Sequence, residues 1–97
     1  MTEEEKLKEE IKKFIVETLN LKINPVNIAD ITPLFGDNNG LGLDSLDMLE
    51  LYVSVEERYG IVVEEDIDPN TFKTINDVAK YIQENVSEEK LKELRSR

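Results

Sequence analysis

The sequence predicts a small all-α fold, a bundle of three main helices plus one short helix. Apolar residues recur at helical spacing in three separated segments, each opened by a capping signal. The one short apolar run that suits a strand, Ile61-Val62-Val63, has no partner strand elsewhere. At 97 residues the chain has room for one domain with a modest core.

The first helix opens at Thr2-Glu3-Glu4-Glu5, a capping box with acids in the positive first turn. Leu7, Ile11, Phe14, Ile15 and Leu19 then share one face, and the helix is expected to fade near Asn20. Residues 20–44 read as a long connection. Pro25, Pro33, Gly36, Gly40 and Gly42 oppose regular structure there. Ile23, Val26, Ile28, Ile31, Leu34 and Phe35 punctuate it, so the connection is expected to be pinned to the core.

The second helix is predicted over residues 45–59. Asp44 suits the N-cap, Asp47 adds charge to the first turn, and Gly60 suits the position after the last turn. Ile61-Val62-Val63 follows as an extended link packed on the core. Asp68-Pro69-Asn70-Thr71-Phe72 fits a single helical turn with Pro69 at its first position. Thr74 caps the third helix, with Asp77 three residues on and Ile75, Val78, Ala79, Ile82 and Val86 as its apolar stripe. Ser87-Glu88-Glu89 has the pattern of a restart through Leu91 and Leu94, in a tail whose charge favours fraying.

Composition removes several kinds of chemistry. There is no cysteine, hence no disulfide, thiolate metal site or cysteine nucleophile. There is no histidine, hence no Ser-His-Asp relay and no imidazole base. No apolar run is long enough to span a membrane, and the acidic start, MTEEEKLKEE, does not resemble a secretory leader. The net charge is −10, and residues 36–70 hold ten acids against one base. That field repels nucleic acid and anionic membrane and steers basic protein surfaces toward the middle of the chain.

The middle of the chain contains Gly40-Leu41-Gly42-Leu43-Asp44-Ser45-Leu46. On a wheel of about 100° per residue, Met48, Leu51, Tyr52, Val55 and Tyr59 form the core arc, with Leu49 at its margin. Leu46 and Val53 fall outside that arc, beside Glu50 and Glu57. An apolar pair rimmed by carboxylates suits protein docking, although single exposed apolar residues are also ordinary.

Ser45 has four readings. It can be a helix cap, but Asp44 already suits that position. It can be a nucleophile, but the G-x-S-x-G elbow and a histidine are both missing. Asp37-Asn38-Asn39-Gly40 begins like a calcium loop, but Leu41 and Met48 stand where oxygen ligands are required. It can carry a covalently attached phosphate ester, which a helix N-terminus favours and which an external enzyme would install.

Asp44-Ser45-Leu46, with Gly42 before it and Asp47-Met48-Leu49-Glu50-Leu51 after it, resembles the modification motif of acyl carrier proteins. The resemblance runs from about Leu7 to Val86 and includes Val55-Glu56-Glu57-Arg58-Tyr59 and Phe72-Lys73-Thr74-Ile75. It implies an antiparallel helical bundle in residues 1–86, with 87–97 as a charged C-terminal extension. It implies a 4′-phosphopantetheine arm on Ser45, installed from coenzyme A by a magnesium-dependent phosphopantetheinyl transferase, with acyl groups held as thioesters on the arm's thiol. Asp44, Asp47, Glu50, Glu56 and Glu57 match the family's acidic docking positions, and Leu46 and Val53 its apolar ones. The resemblance implies a non-enzymatic, cytoplasmic, monomeric carrier serving enzymes with basic docking patches. In some members the acyl chain shelters between helices, which here would use Leu49, Tyr52 and Ile75. A peptidyl, aminoacyl or D-alanyl carrier, and an unmodified interaction module of the same fold, are the alternatives. The segment before the motif is longer than usual, which favours a specialised pathway over housekeeping fatty-acid synthesis.

Overall fold

In the computed structural model, which describes residues 2–35, 40–64 and 66–96, the chain is helical and no strand forms among the described residues. Helix α1 spans Glu3–Thr18, α2 Ser45–Tyr59, α3 Ile75–Asn85 and α4 Glu88–Arg95. Two 3₁₀ turns, Pro25–Asn27 and Pro69–Phe72, interrupt the connections. The three main helices and the short one before α3 stand where expected.

Each helix starts where a side chain can satisfy its first free N–H groups. Thr2, Asp44, Thr74 and Ser87 accept hydrogen bonds from Glu5, Asp47, Asp77 and Lys90. α2 and α3 close full capping boxes through Asp47 and Asp77. α2 ends on Gly60 in the left-handed region, at φ 67°, and α1 runs out at Leu19 with Asn20 left-handed behind it.

One core joins all four helices. Leu7, Ile11, Phe14 and Ile15 of α1 meet Leu51, Val55 and Tyr59 of α2 and Ile75, Val78, Ala79 and Ile82 of α3. Phe14 and Tyr59 pack edge to face at 6.2 Å, and the Arg58 guanidinium lies 5.1 Å above the Phe14 ring. Arg58 is the one base of residues 36–70, so its turn toward α1 leaves the acids of α2 uncompensated.

The connection from α1 to α2 is pinned, though by fewer side chains than expected. Ile28, Leu34 and Leu43 are buried, whereas Val26, Ile31 and Phe35 are exposed. Backbone hydrogen bonds carry the remainder. Leu34 N–H donates to the Lys73 carbonyl at 2.8 Å, and Leu43 N–H donates to the Leu34 carbonyl at 3.0 Å. Asp30 ties the connection to α1 through Lys12 at 2.7 Å and Lys8 at 3.5 Å, and its carbonyl accepts from Asn76 N–H. The Lys12 hydrogen bond holds the Asp30 carboxyl below its usual range, so this tie is present above that range and is lost as pH falls through the lowered value. Residues 36–39, where the glycine-rich loop and the first calcium-loop positions were expected, lie outside the described residues.

Gly40 fits this staple for a steric reason. A Cβ there would overlap the Pro33 carbonyl oxygen, which accepts the Leu41 N–H at 2.9 Å. Gly40→Ala is therefore expected to cost about 1–3 kcal/mol. Chemical denaturation measures the loss, and amide shifts from Leu41 to Leu46 report where the backbone moves.

The tail continues as α4, which packs on the bundle. Leu91 is buried in the common core, Leu94 packs against it, and Arg95 pairs with Glu3 and Glu10 of α1. Ile61 and Val63 of the link after α2 also pack inward, while Val62 points out.

Candidate functional site

Gly42 adopts the left-handed region at φ 66° and turns the chain into α2. Leu43 is buried next to it, and Asp44 takes the N-cap. The Asp44 carboxylate accepts from Asp47 N–H at 2.9 Å, and the Asp47 carboxylate accepts from Asp44 N–H at 3.1 Å. With capping done by its neighbour, Ser45 is left at the first helical position. Its side chain is exposed, and among the described residues its hydroxyl makes no hydrogen bond. The N–H groups of Ser45 and Leu46 are likewise without a described partner, at the positive end of a helix of 15 residues.

The five acids that the motif places around Ser45 divide by role. Asp44 and Asp47 are spent on each other's backbone. Glu56 accepts the Val63 N–H at 3.0 Å and fastens the link that leaves α2. Glu50 and Glu57 are exposed and have no partner among the described residues. Periodicity alone could not separate these roles, because capping and link-fastening depend on backbone that lies off the helix.

The apolar part of the face is broader than the sequence indicated. Leu46 is 74% exposed and Val53 48%, and Leu49, read as marginal to the core, is 57% exposed. Spacings of three and four residues put these side chains in one stripe along α2. Glu50 and Glu57 border it, so the bordering charges are the two free ones.

On the other side of Ser45 lies an open groove of about 340 Å³, lined by Phe35, Ser45, Met48, Leu49 and Tyr52. Phe35 comes from the connection, where Leu43 pairs alongside it in an isolated bridge. It is 47% exposed, and no sequence signal placed it beside Ser45. The Tyr52 ring meets Phe72 edge-on at 4.9 Å, and Phe72 meets Tyr81 at 5.2 Å. Burial pushes the Tyr52 hydroxyl above its ordinary range, so it stays neutral at physiological pH. Ile75, expected to share this region, is buried in the core and does not line the groove.

Chemically, the site offers one free hydroxyl at a helix N-terminus, and the chain has no histidine to activate it. Among the described residues no cluster of three or more acids could hold a metal ion. A phosphate ester fits what is present, since Ser45 is accessible and two unpaired amides lie beside it.

Comparison with known proteins finds a family profile and several relatives. A family profile described as "Phosphopantetheine attachment site" matches residues 9–82. A protein of Wolinella succinogenes named acyl carrier protein is 34% identical over 77 residues, 79% of this chain and 93% of the relative. A Helicobacter pylori protein of the same name is 35% identical over 77 residues, 79% and 91% of the two chains. One from Chlamydia muridarum is 33% identical over 78 residues, 80% and 94%. No solved structure matches the chain significantly.

Proposed function

Because the chain belongs to the acyl carrier protein family, whose members are carriers and not catalysts and hold a covalently attached 4′-phosphopantetheine, we propose that Ser45 bears this arm. The observation that carries the assignment is the free, exposed Ser45 hydroxyl at the first position of α2, relieved of capping by Asp44. In the attachment, an Oγ–phosphorus bond forms and the pyrophosphate bond of coenzyme A breaks, releasing its nucleotide half. The transferase takes the hydroxyl proton, since this chain has no histidine to do so. The positive end of α2, with the Ser45 and Leu46 amides, favours the anionic ester. When bound, the arm supplies the thiol that this cysteine-free chain lacks, and with it thioester chemistry.

The stripe Leu46, Leu49 and Val53, with Glu50 and Glu57, is the docking face for partner enzymes. Asp44, Asp47 and Glu56 add to its field while holding its backbone. Exposed charges of this kind speed encounter and contribute modest, salt-sensitive affinity, which suits a carrier that must release each enzyme. The partners are the transferase and acyl-loading and acyl-using enzymes of fatty-acid, lipid or polyketide-type synthesis, their surfaces basic around an apolar pocket. The carrier works as a cytoplasmic monomer; no described helix is long and apolar enough to cross a membrane.

Incubation with coenzyme A, magnesium and a broad-specificity transferase tests the assignment, because the protein gains the mass of one arm. Loading the product with acyl and aminoacyl donors then separates an acyl carrier from an aminoacyl one. For the docking face, the pair Glu50→Lys and Glu57→Lys is expected to lower partner kcat/KM by about tenfold or more at low salt, with the gap closing as salt rises. Its helical circular dichroism stays that of the wild type. Equal turnover at low salt would remove the docking assignment.

A further inference from the structure

Where α1, α2 and α4 meet, two polar groups are shut off from solvent. The Tyr59 hydroxyl and Nη2 of Arg95 have no hydrogen-bond partner among the described residues. Tyr59 as a whole is 2% exposed. Burial pushes its hydroxyl well above the ordinary range, so it stays protonated and can donate. Buried donors without an acceptor are costly and uncommon, so this pair calls for one. Both residues line a cavity of about 370 Å³, and its other walls are Glu10, Arg58, Leu91 and Leu94. That size is at the lower end for small-molecule sites.

We infer that this cavity binds a small monocarboxylate, its oxygens accepting from the Tyr59 hydroxyl and Arg95 Nη2 beside the Arg58 guanidinium, its aliphatic body against Leu91 and Leu94. The charges select the ligand. Glu3 and Glu10 take Nη1 and Nε of Arg95, which fixes the guanidinium and leaves Nη2 over. Arg58 makes no direct ion pair among the described residues, although its charge reaches Glu10. One cation is therefore left for a monoanion, and a dianion would overcompensate it. Nη2 can only donate, so the ligand must accept. The two leucines favour an apolar body over a bare ion. The dipoles of α2 and α4 end nearby and oppose an anion, which keeps the affinity modest. Arg58 is exposed, and exposed side chains change rotamer within nanoseconds, which opens a way to the hydroxyl beneath. Ser45 stands at the opposite end of α2, so this site is separate from the proposed attachment point.

Butyrate is the probe, with butyramide as its neutral counterpart and inorganic phosphate and chloride as other anions. Each is titrated into the full chain at constant ionic strength and followed by nuclear magnetic resonance. Butyrate is expected to saturate on the order of millimolar, with shifts centred on Arg58, Tyr59, Leu91 and Arg95. Butyramide, phosphate and chloride are expected to bind at least about tenfold more weakly. Tyr59→Phe keeps the ring and its edge contact with Phe14. It is expected to weaken butyrate about tenfold and to melt no lower than the wild type, because it removes a hydroxyl that has no partner. Arg58→Gln, at an exposed position, is expected to weaken butyrate by a similar factor. Butyrate that does not saturate, or that butyramide or chloride matches, would overturn the site. Phosphate binding more tightly than butyrate would overturn the monocarboxylate. A Tyr59→Phe protein that binds butyrate as well as the wild type, or melts several degrees below it, would overturn the role of the hydroxyl.

Discussion

Ser45→Ala is expected to abolish attachment of the arm and every carrier activity that depends on it, while leaving the fold intact. The two halves of this result have separate physical reasons. Attachment needs an oxygen at residue 45, and the nearby acids cannot replace it because two of them are bound to the α2 backbone. Stability does not need that oxygen. The Ser45 hydroxyl has no described hydrogen-bond partner, the N-cap is Asp44, and alanine is a good residue for a first helical turn. The change in stability should stay within about 0.5 kcal/mol, or a melting shift of a few degrees. Thermal denaturation of the variant beside mass analysis after transferase treatment reads both. A variant that loses modification because it unfolds would leave the serine without its assigned role.

Removing residues 87–97 is expected to lower stability markedly, although the segment is mostly charged. Leu91 is buried against the bundle, and one buried leucine contributes about 1.5–3 kcal/mol. Arg95 also covers Glu3 and Glu10, and burial raises the Glu10 carboxyl above its usual range. Truncation after Val86 should therefore reduce the melting temperature by at least about 8 °C. Leu91→Ala alone should reproduce most of that loss, since a buried leucine truncated to alanine costs about 2–5 kcal/mol. Arg95→Ala should account for less, because its ion pairs are partly exposed. A truncated protein that melts with the full chain would support the reading of 87–97 as a separate extension. The serine lies at the other end of α2, roughly 20 Å away, so attachment should survive truncation at temperatures where the bundle holds.

The parts of the fold that were legible were those with clear capping signals. α2 begins after Asp44 and ends before Gly60, and Met48, Leu51, Val55 and Tyr59 of its core arc are buried. α3 was marked at its start by Thr74 and Asp77 and along its length by its apolar stripe. The connection was harder, because loop side chains follow no period. Ile28 and Val26 look equivalent in sequence, yet one is buried and the other is among the most exposed apolar residues. α4 was obscured by its composition, since one inward leucine among so many charges leaves little pattern. At the site, the motif pointed to Ser45 and its acidic neighbours. It could not show that Glu56 is occupied with Val63, that Leu49 faces outward, or that Phe35 stands beside the serine. Each of those facts depends on the path of chain outside α2.

The most direct measurement is peptide mapping of the wild-type protein after treatment with coenzyme A, magnesium and a phosphopantetheinyl transferase. One arm per chain is expected, found on the fragment that contains Ser45 and located by tandem mass spectrometry to that residue. A folded protein that gains no mass, or an arm on Ser54, Ser87 or Ser96 instead, would contradict it.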